Sequence, residues 1–183
     1  DNQSFSYSIK YTTVSYQPNA AFDYVRTGNT FGFNNQTLDA DSYAWNLGNN
    51  TNSANTFPPL TTYGPGFYEV KLVAYNKGVV GCSFTDTATQ SFTVRGLERY
   101  TPLKGGKGNV IFNVYGGGLD SNVIIRLSKG SKTYIDSAAQ VNKNGNIFAC
   151  ILNMHNADAG TYDVDIITKD SSYHYPNGFT LEE

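Results

Sequence analysis

Apolar and polar residues alternate along most of the chain in short runs. Tyr68, Val70, Leu72 and Ala74 fall on one side of an extended segment, with Glu69 and Lys71 on the other. Val110, Phe112 and Val114 oppose Ile111 and Asn113 in the same way. A period of two turns one side of a β-strand to a core and leaves the other in solvent. Clusters of Gly, Asn, Asp and Pro interrupt the runs, as tight turns require. The pattern predicts strands over 20–24, 30–34, 42–47, 67–75 and 91–94, then over 109–115, 123–128, 132–136, 147–152, 161–168 and 179–181. Helical periodicity is nearly absent. Each set of strands suffices for one sandwich, so the expected fold is all-β with two sandwiches in succession.

Between the sets lies Arg95-Gly96-Leu97-Glu98-Arg99-Tyr100-Thr101-Pro102, where charge, Gly and Pro mark a connection. The boundary is placed near Gly96. It gives an N-terminal extension or extra edge strand over 1–18, a first domain over 19–96 and a second over 97–183. An internal echo supports the division: Gly66-Phe67-Tyr68-Glu69-Val70 and Gly160-Thr161-Tyr162-Asp163-Val164 both read Gly-x-Tyr-x-Val. In the second copy, Asp158-Ala159-Gly160-Thr161-Tyr162 has the order of a tyrosine corner, in which the phenol bonds back to upstream backbone. That is an immunoglobulin-like device, and the expected fold class becomes two tandem immunoglobulin-like β-sandwich domains. Val164 and Val70 stand two residues after each tyrosine, so neither domain carries the antibody-type disulfide there, and apolar packing must hold both cores.

Several motifs of the first half occur in a recognisable order. Asp41-Ser42-Tyr43-Ala44 leads into Trp45-Asn46-Leu47-Gly48-Asn49-Asn50; Thr62-Tyr63 follows, then the run from Gly66 to Asn76. From Asn19 to Val94 the chain resembles the polycystic kidney disease (PKD) domain, whose hallmark Trp-Asp-Phe-Gly-Asp-Gly is matched with Asn46 and Asn49 in place of the two acidic residues. The resemblance implies an extracellular β-sandwich with Trp45 as the aromatic plug of its core. From Leu97 onward, Gly116-Gly117-Gly118-Leu119 before Val123-Ile124-Ile125, the Gly160-x-Tyr162-x-Val164 corner and the closing Asn177-Gly178-Phe179-Thr180-Leu181 resemble IPT/TIG modules. Such a pairing, with Gly81-Cys82 after the late strand, resembles surface or secreted multidomain proteins of Bacteroidetes-type bacteria. It implies an extracellular, cell-surface or outer-membrane-associated location.

Composition narrows the partners. Of 183 residues, 39% are hydrophobic and 15% charged, against a usual charged share of about 25%. With 18 glycines, 14 tyrosines and 11 phenylalanines, this is the usage of a turn-rich, aromatic-cored β protein. A net charge of −2 provides no field for a phosphate backbone, so nucleic acid is not expected as a partner. No run of about 18 apolar residues occurs, so no membrane insertion by this segment is expected. The two cysteines, Cys82 and Cys150, fit neither a metal cluster nor a dense disulfide framework; a bridge between domains and two buried thiols are both open readings.

Candidate chemistry is sparse. The two histidines, His155 and His174, belong to no nucleophile elbow or His-x-x-x-His spacing. Asp170, Ser171 and Ser172 lie near His174, yet Ser and Asp are ordinary turn residues. Gly105-Gly106-Lys107-Gly108 has no helix behind it with which to hold a phosphate and is read as a linker turn, and Gly116-Gly117-Gly118 is read as a turn between strands. Asp163 and Asp165 share the face opposite Val164, while Asp39, Asp41 and 49–55 carry further oxygens. Calcium and simple solvation are both weighed for them, without an EF-hand spacing to favour the ion. Tyr173-His174-Tyr175-Pro176 is the best surface candidate, because tyrosine rings give contact area at low entropic cost; the opposing reading packs one or both rings along the sheet.

These observations lead to a non-catalytic extracellular spacer or interaction module of a larger bacterial protein, expected to use no cofactor or metal and to meet protein partners. The alternative is a surface glycan-binding protein that recognises polysaccharide through exposed aromatics, with Tyr173, His174 and Tyr175 as the ligand-facing residues.

Overall fold

The computed structural model describes residues 6, 8, 17–77, 84–119 and 122–183. Fifteen strands and no helix occur among them: β1 Phe22–Thr27, β2 Thr30–Asn35, β3 Ser42–Asn46, β4 Asn52–Ser53, β5 Thr61–Thr62, β6 Gly66–Asn76, β7 Phe84–Val94, β8 Gly96–Thr101, β9 Lys104–Gly106, β10 Asn109–Gly117, β11 Val123–Lys129, β12 Lys132–Gln140, β13 Ile147–Asn153, β14 Gly160–Ile167 and β15 Ser172–Glu182. The fold is all-β, as the alternation predicts. The residues divide into two compact units: one takes in the chain up to Arg26 with Phe31–Thr61 and Val70–Gln90, the other Thr27–Thr30, Thr62–Glu69 and Ser91–Glu183. Most of the extension expected over 1–18, and Gly81-Cys82, lie outside the described residues.

Strands β1 to β7 form a three-stranded sheet, β1-β2-β5, and a four-stranded one, β4-β3-β6-β7. β3 runs antiparallel to β6, with Ala44 opposite Val73 and Trp45 opposite Leu72. This register turns Trp45, Leu72 and Ala74 inward against Phe22, Phe31 and Phe33, all buried. Trp45 meets Phe22 edge-on with centroids 5.0 Å apart. Its indole N–H, which would otherwise be stranded in an apolar core, donates to the Asn55 carbonyl at 3.0 Å. Beyond β3, the Asn46 side chain accepts from Gly48 N–H and the Asn49 side chain from Thr51 N–H. The two asparagines of the hallmark-like run therefore close Asx turns with amide oxygens.

Strands β8 to β15 form one eight-stranded sheet, ordered β8-β10-β13-β12-β11-β14-β15-β9. It folds over because β12 serves two neighbours: from Lys132 to Ala138 it pairs with β11, and through Ala139 and Gln140 it pairs with β13. The inward residues of both halves share one core, including Phe112, Val114, Ile125, Leu127, Phe148, Tyr162, Val164 and Phe179. The tyrosine corner is present: fully buried Tyr162 donates its hydroxyl to the Asp158 carbonyl at 2.7 Å. Its echo behaves alike, since Tyr68 donates to the Gly64 carbonyl at 3.0 Å, also four residues upstream.

The structure corrects several local expectations. The segment read as a linker is strand β8, whose Tyr100 lies opposite Val114 of β10 and donates its hydroxyl to the Gly178 carbonyl. Gly105 and Gly106, read as a linker turn, belong to β9, which runs parallel to the end of β15. Gly116 and Gly117 lie within β10 and only Gly118 has a positive φ, 56°. Gly117 is required by close approach, because a Cβ there would stand 2.0 Å from the Val94 carbonyl oxygen and 2.5 Å from Gly66 N. The final strand begins at Ser172, seven residues before the expected start at Phe179.

Candidate functional site

β15 folds back on β14 through the tight hairpin 168–171, in which the Thr168 hydroxyl donates to the Ser171 carbonyl and accepts from Ser171 N–H. This turn fixes the register: Ile167 lies opposite Ser172, Ile166 opposite Tyr173, Asp165 opposite His174 and Val164 opposite Tyr175. Alternation then separates the three candidate residues. Tyr173 and Tyr175 are half-buried against the second core, and Tyr175 meets Tyr100 with centroids 5.0 Å apart. His174 faces the opposite way and is exposed. The three residues do not form one aromatic platform.

His174 instead joins a row that crosses three strands. Arg126 of β11 lies opposite Asp165 of β14, which lies opposite His174 of β15. Arg126 Nε bonds one Asp165 oxygen at 3.0 Å, and His174 Nδ1 bonds the other at 2.7 Å. The Asp165 side chain is only 9% exposed, although it stands on the sheet face turned away from the core. Its partners remain half open, at 43% for the Arg126 side chain and 56% for that of His174. Burial works to raise the Asp165 pKa, but the hydrogen bonds and charges of His174 and Arg126 outweigh it and hold the carboxyl below its usual range. Chemically this is a carboxylate with both oxygens engaged by cation-forming groups. Asp163, the other carboxylate of that face, accepts from Asn177 N–H at 2.8 Å. That bond secures the bulge in which Pro176, without an N–H of its own, is tolerated.

An open groove of about 480 Å³ crosses the outer face of β3, β4 and β6, lined by Ala44, Asn46, Asn52, Ser53, Lys71 and Val73 among others. A more polar cavity of about 230 Å³ lies in the second unit, with Arg95, Leu119, Thr168, Asp170, Ser171 and Tyr173 on its walls. Neither is lined by His174, Asp165 or Arg126. Cys150 is a buried thiol; burial, and after it the charge of Asp136, push it up to about 12. Cys82, the other half of the bridge considered from the sequence, lies outside the described residues. No group of three or more His, Cys, Asp or Glu placed to hold a metal ion occurs among the described residues, and no helix there is long and apolar enough to cross a membrane.

Sequence reasoning places Asp163 and Asp165 correctly on one face but misses the Arg126–Asp165–His174 row. A usable signal was present: a two-residue turn at Lys169-Asp170 sets Asp165 across from His174 by simple counting. Nothing local announces Arg126, which is 39 residues away from Asp165 in sequence.

No protein-family model matches the chain, and no curated protein matches it. Among solved structures it is similar to the PKD1 domain of Vibrio anguillarum Epp, at 29% identity over 44% of this chain and 96% of that one, with a TM-score of 0.39. It is similar to the PKD1 domain of the Vibrio cholerae metalloprotease PrtV, at 28% identity over 43% of this chain and 98% of that one, with a TM-score of 0.38. A surface glycan-binding protein of the Bacteroides ovatus mixed-linkage glucan utilization locus, solved with a mixed-linkage heptasaccharide, is 13% identical over 93% of this chain and 48% of that one, with a TM-score of 0.33.

Proposed function

We propose that this chain is a non-catalytic extracellular module of a larger bacterial cell-surface or secreted protein, built from a PKD-like sandwich over 19–96 and an IPT/TIG-like one over 97–183, and that it works by contact with protein partners. The observation that carries the reading is the placement of the His174–Asp165 pair. The Arg126–Asp165–His174 row stands on an open sheet face, apart from both concavities, and its carboxylate is consumed by its two neighbours. A general acid or base needs a bound reacting group within hydrogen-bond reach, and neither concavity brings one to this row. Antiparallel sandwiches suit contact functions because their loops and outer faces vary without disturbing the core.

A second reading, recognition of polysaccharide, is favoured by one observation: Tyr173 is both rigidly seated on the core and part of the wall of the polar cavity. Affinity electrophoresis of the whole protein through gels cast with soluble polysaccharides, followed by sizing of each polymer, tests both readings together. Contact function predicts that no polymer is shortened, and the second reading adds retardation by at least one of them. Shortening that disappears in His174→Ala would overturn the non-catalytic assignment.

A further inference from the structure

We propose that the 230 Å³ cavity walled by Arg95, Thr168, Asp170, Ser171 and Tyr173 binds one uncharged sugar ring of a polysaccharide. This rests on the second reading above and gives it a location. Among the described residues, the Arg95 guanidinium, the Asp170 carboxylate and the hydroxyls of Ser171 and Tyr173 have no hydrogen-bond or ion-pair partner within the chain. The Thr168 hydroxyl beside them is fully employed in the hairpin. Donors and acceptors therefore line one small concavity.

One cation and one anion balance each other, so the site favours no net charge. A diol matches it, since each sugar hydroxyl is both donor and acceptor and pairs with guanidinium and carboxylate alike. The Tyr173 ring, held from beneath by the core, adds an apolar wall for the C–H face of a pyranose. The volume lies below the roughly 300–1,000 Å³ of pockets that engulf a drug-sized ligand, which suits a single ring. The hairpin bonds at Thr168 fix Asp170 and Ser171 in advance, so little ordering is left to be done on binding. Across the cavity, Gly118 lets the Arg95 stem lie flat: a Cβ there would stand 2.8 Å from Arg95 Cγ.

The test uses the whole protein with cellotetraose, mannotetraose, xylotetraose and the zwitterion glycylglycine as probes, read by saturation-transfer NMR and calorimetric titration. The wild type should bind at least one tetrasaccharide and not glycylglycine. Asp170→Ala and Arg95→Ala, both at exposed positions, should each weaken that affinity about tenfold or more, as loss of a charge-assisted hydrogen bond does, while His174→Ala leaves it unchanged. Tetrasaccharide binding that survives both cavity substitutions would overturn the assignment of the cavity and leave polysaccharide recognition standing elsewhere. Binding of glycylglycine in place of sugar would overturn the ligand class, and binding of no tetrasaccharide would overturn the reading together with its site.

Discussion

The hydroxyl of Tyr162 is attached to a ring with no exposure, and its one partner is the Asp158 carbonyl. Tyr162→Phe keeps the ring and removes that bond, so denaturant melts should show a loss of about 1 kcal/mol. Tyr68→Phe should cost less, because the bond from Tyr68 to Gly64 lies at the surface, where water replaces it. The sign of the Asp165 effect follows from its lowered folded pKa. Its contribution is complete above the unfolded carboxyl value of about 3.9 and fades as pH falls towards the lower folded value. Thermal melts of the wild type should therefore fall more steeply below about pH 4 than those of Asp165→Asn. Cys150, buried and pushed up to about 12, should resist thiol reagents in folded Cys82→Ser protein and react once denatured. At this scale the sequence was readable where one residue suffices: a single Trp at an inward position, or a Tyr two places after Gly. It was not readable where a residue's role depends on register with a distant strand, as for Arg126.

Strands with strong apolar alternation, such as β6, β10 and β11, were legible because burial itself writes the pattern. The missed elements hold their places by main-chain pairing or by polar side chains. β8 carries Glu98 and Arg99 at an edge of the sheet, and β9 is Lys-Gly-Gly, held by parallel pairing to β15. The first half of β7 turns Asp86 and Gln90 inward, where they bond the backbone of Ala20 and Phe22. An inward polar residue that serves a neighbouring strand's backbone looks like a loop residue when read alone. The glycines of β10 deceived for a related reason: they mark crowding, not turning. Gly117→Ala should lower stability by ~3 kcal/mol or more, since the obstacle is backbone that no rotamer change relieves. Gly130→Ala, at φ 58° with open space around the new methyl, should cost only about 1 kcal/mol in the same melts.

At the scale of the molecule, the two-sandwich outline came through because each half has its own aromatic or aliphatic core set, gathered around Trp45 in one unit and around Phe112 and Tyr162 in the other. The cavity beside Tyr173 was not visible, because it draws Arg95 together with a hairpin more than seventy residues further on, and alternation says nothing about concavity. On this reading the Arg126–Asp165–His174 row serves the fold, and contact is made by other surfaces. Asp165→Asn tests this most directly, with Tm at neutral pH measured beside retardation by whichever polysaccharide slows the wild type. The expected result is a lower Tm, equivalent to about 2 kcal/mol for a charged pair lost from beneath Arg126 and His174, with retardation unchanged. An unchanged Tm accompanied by lost retardation would contradict it.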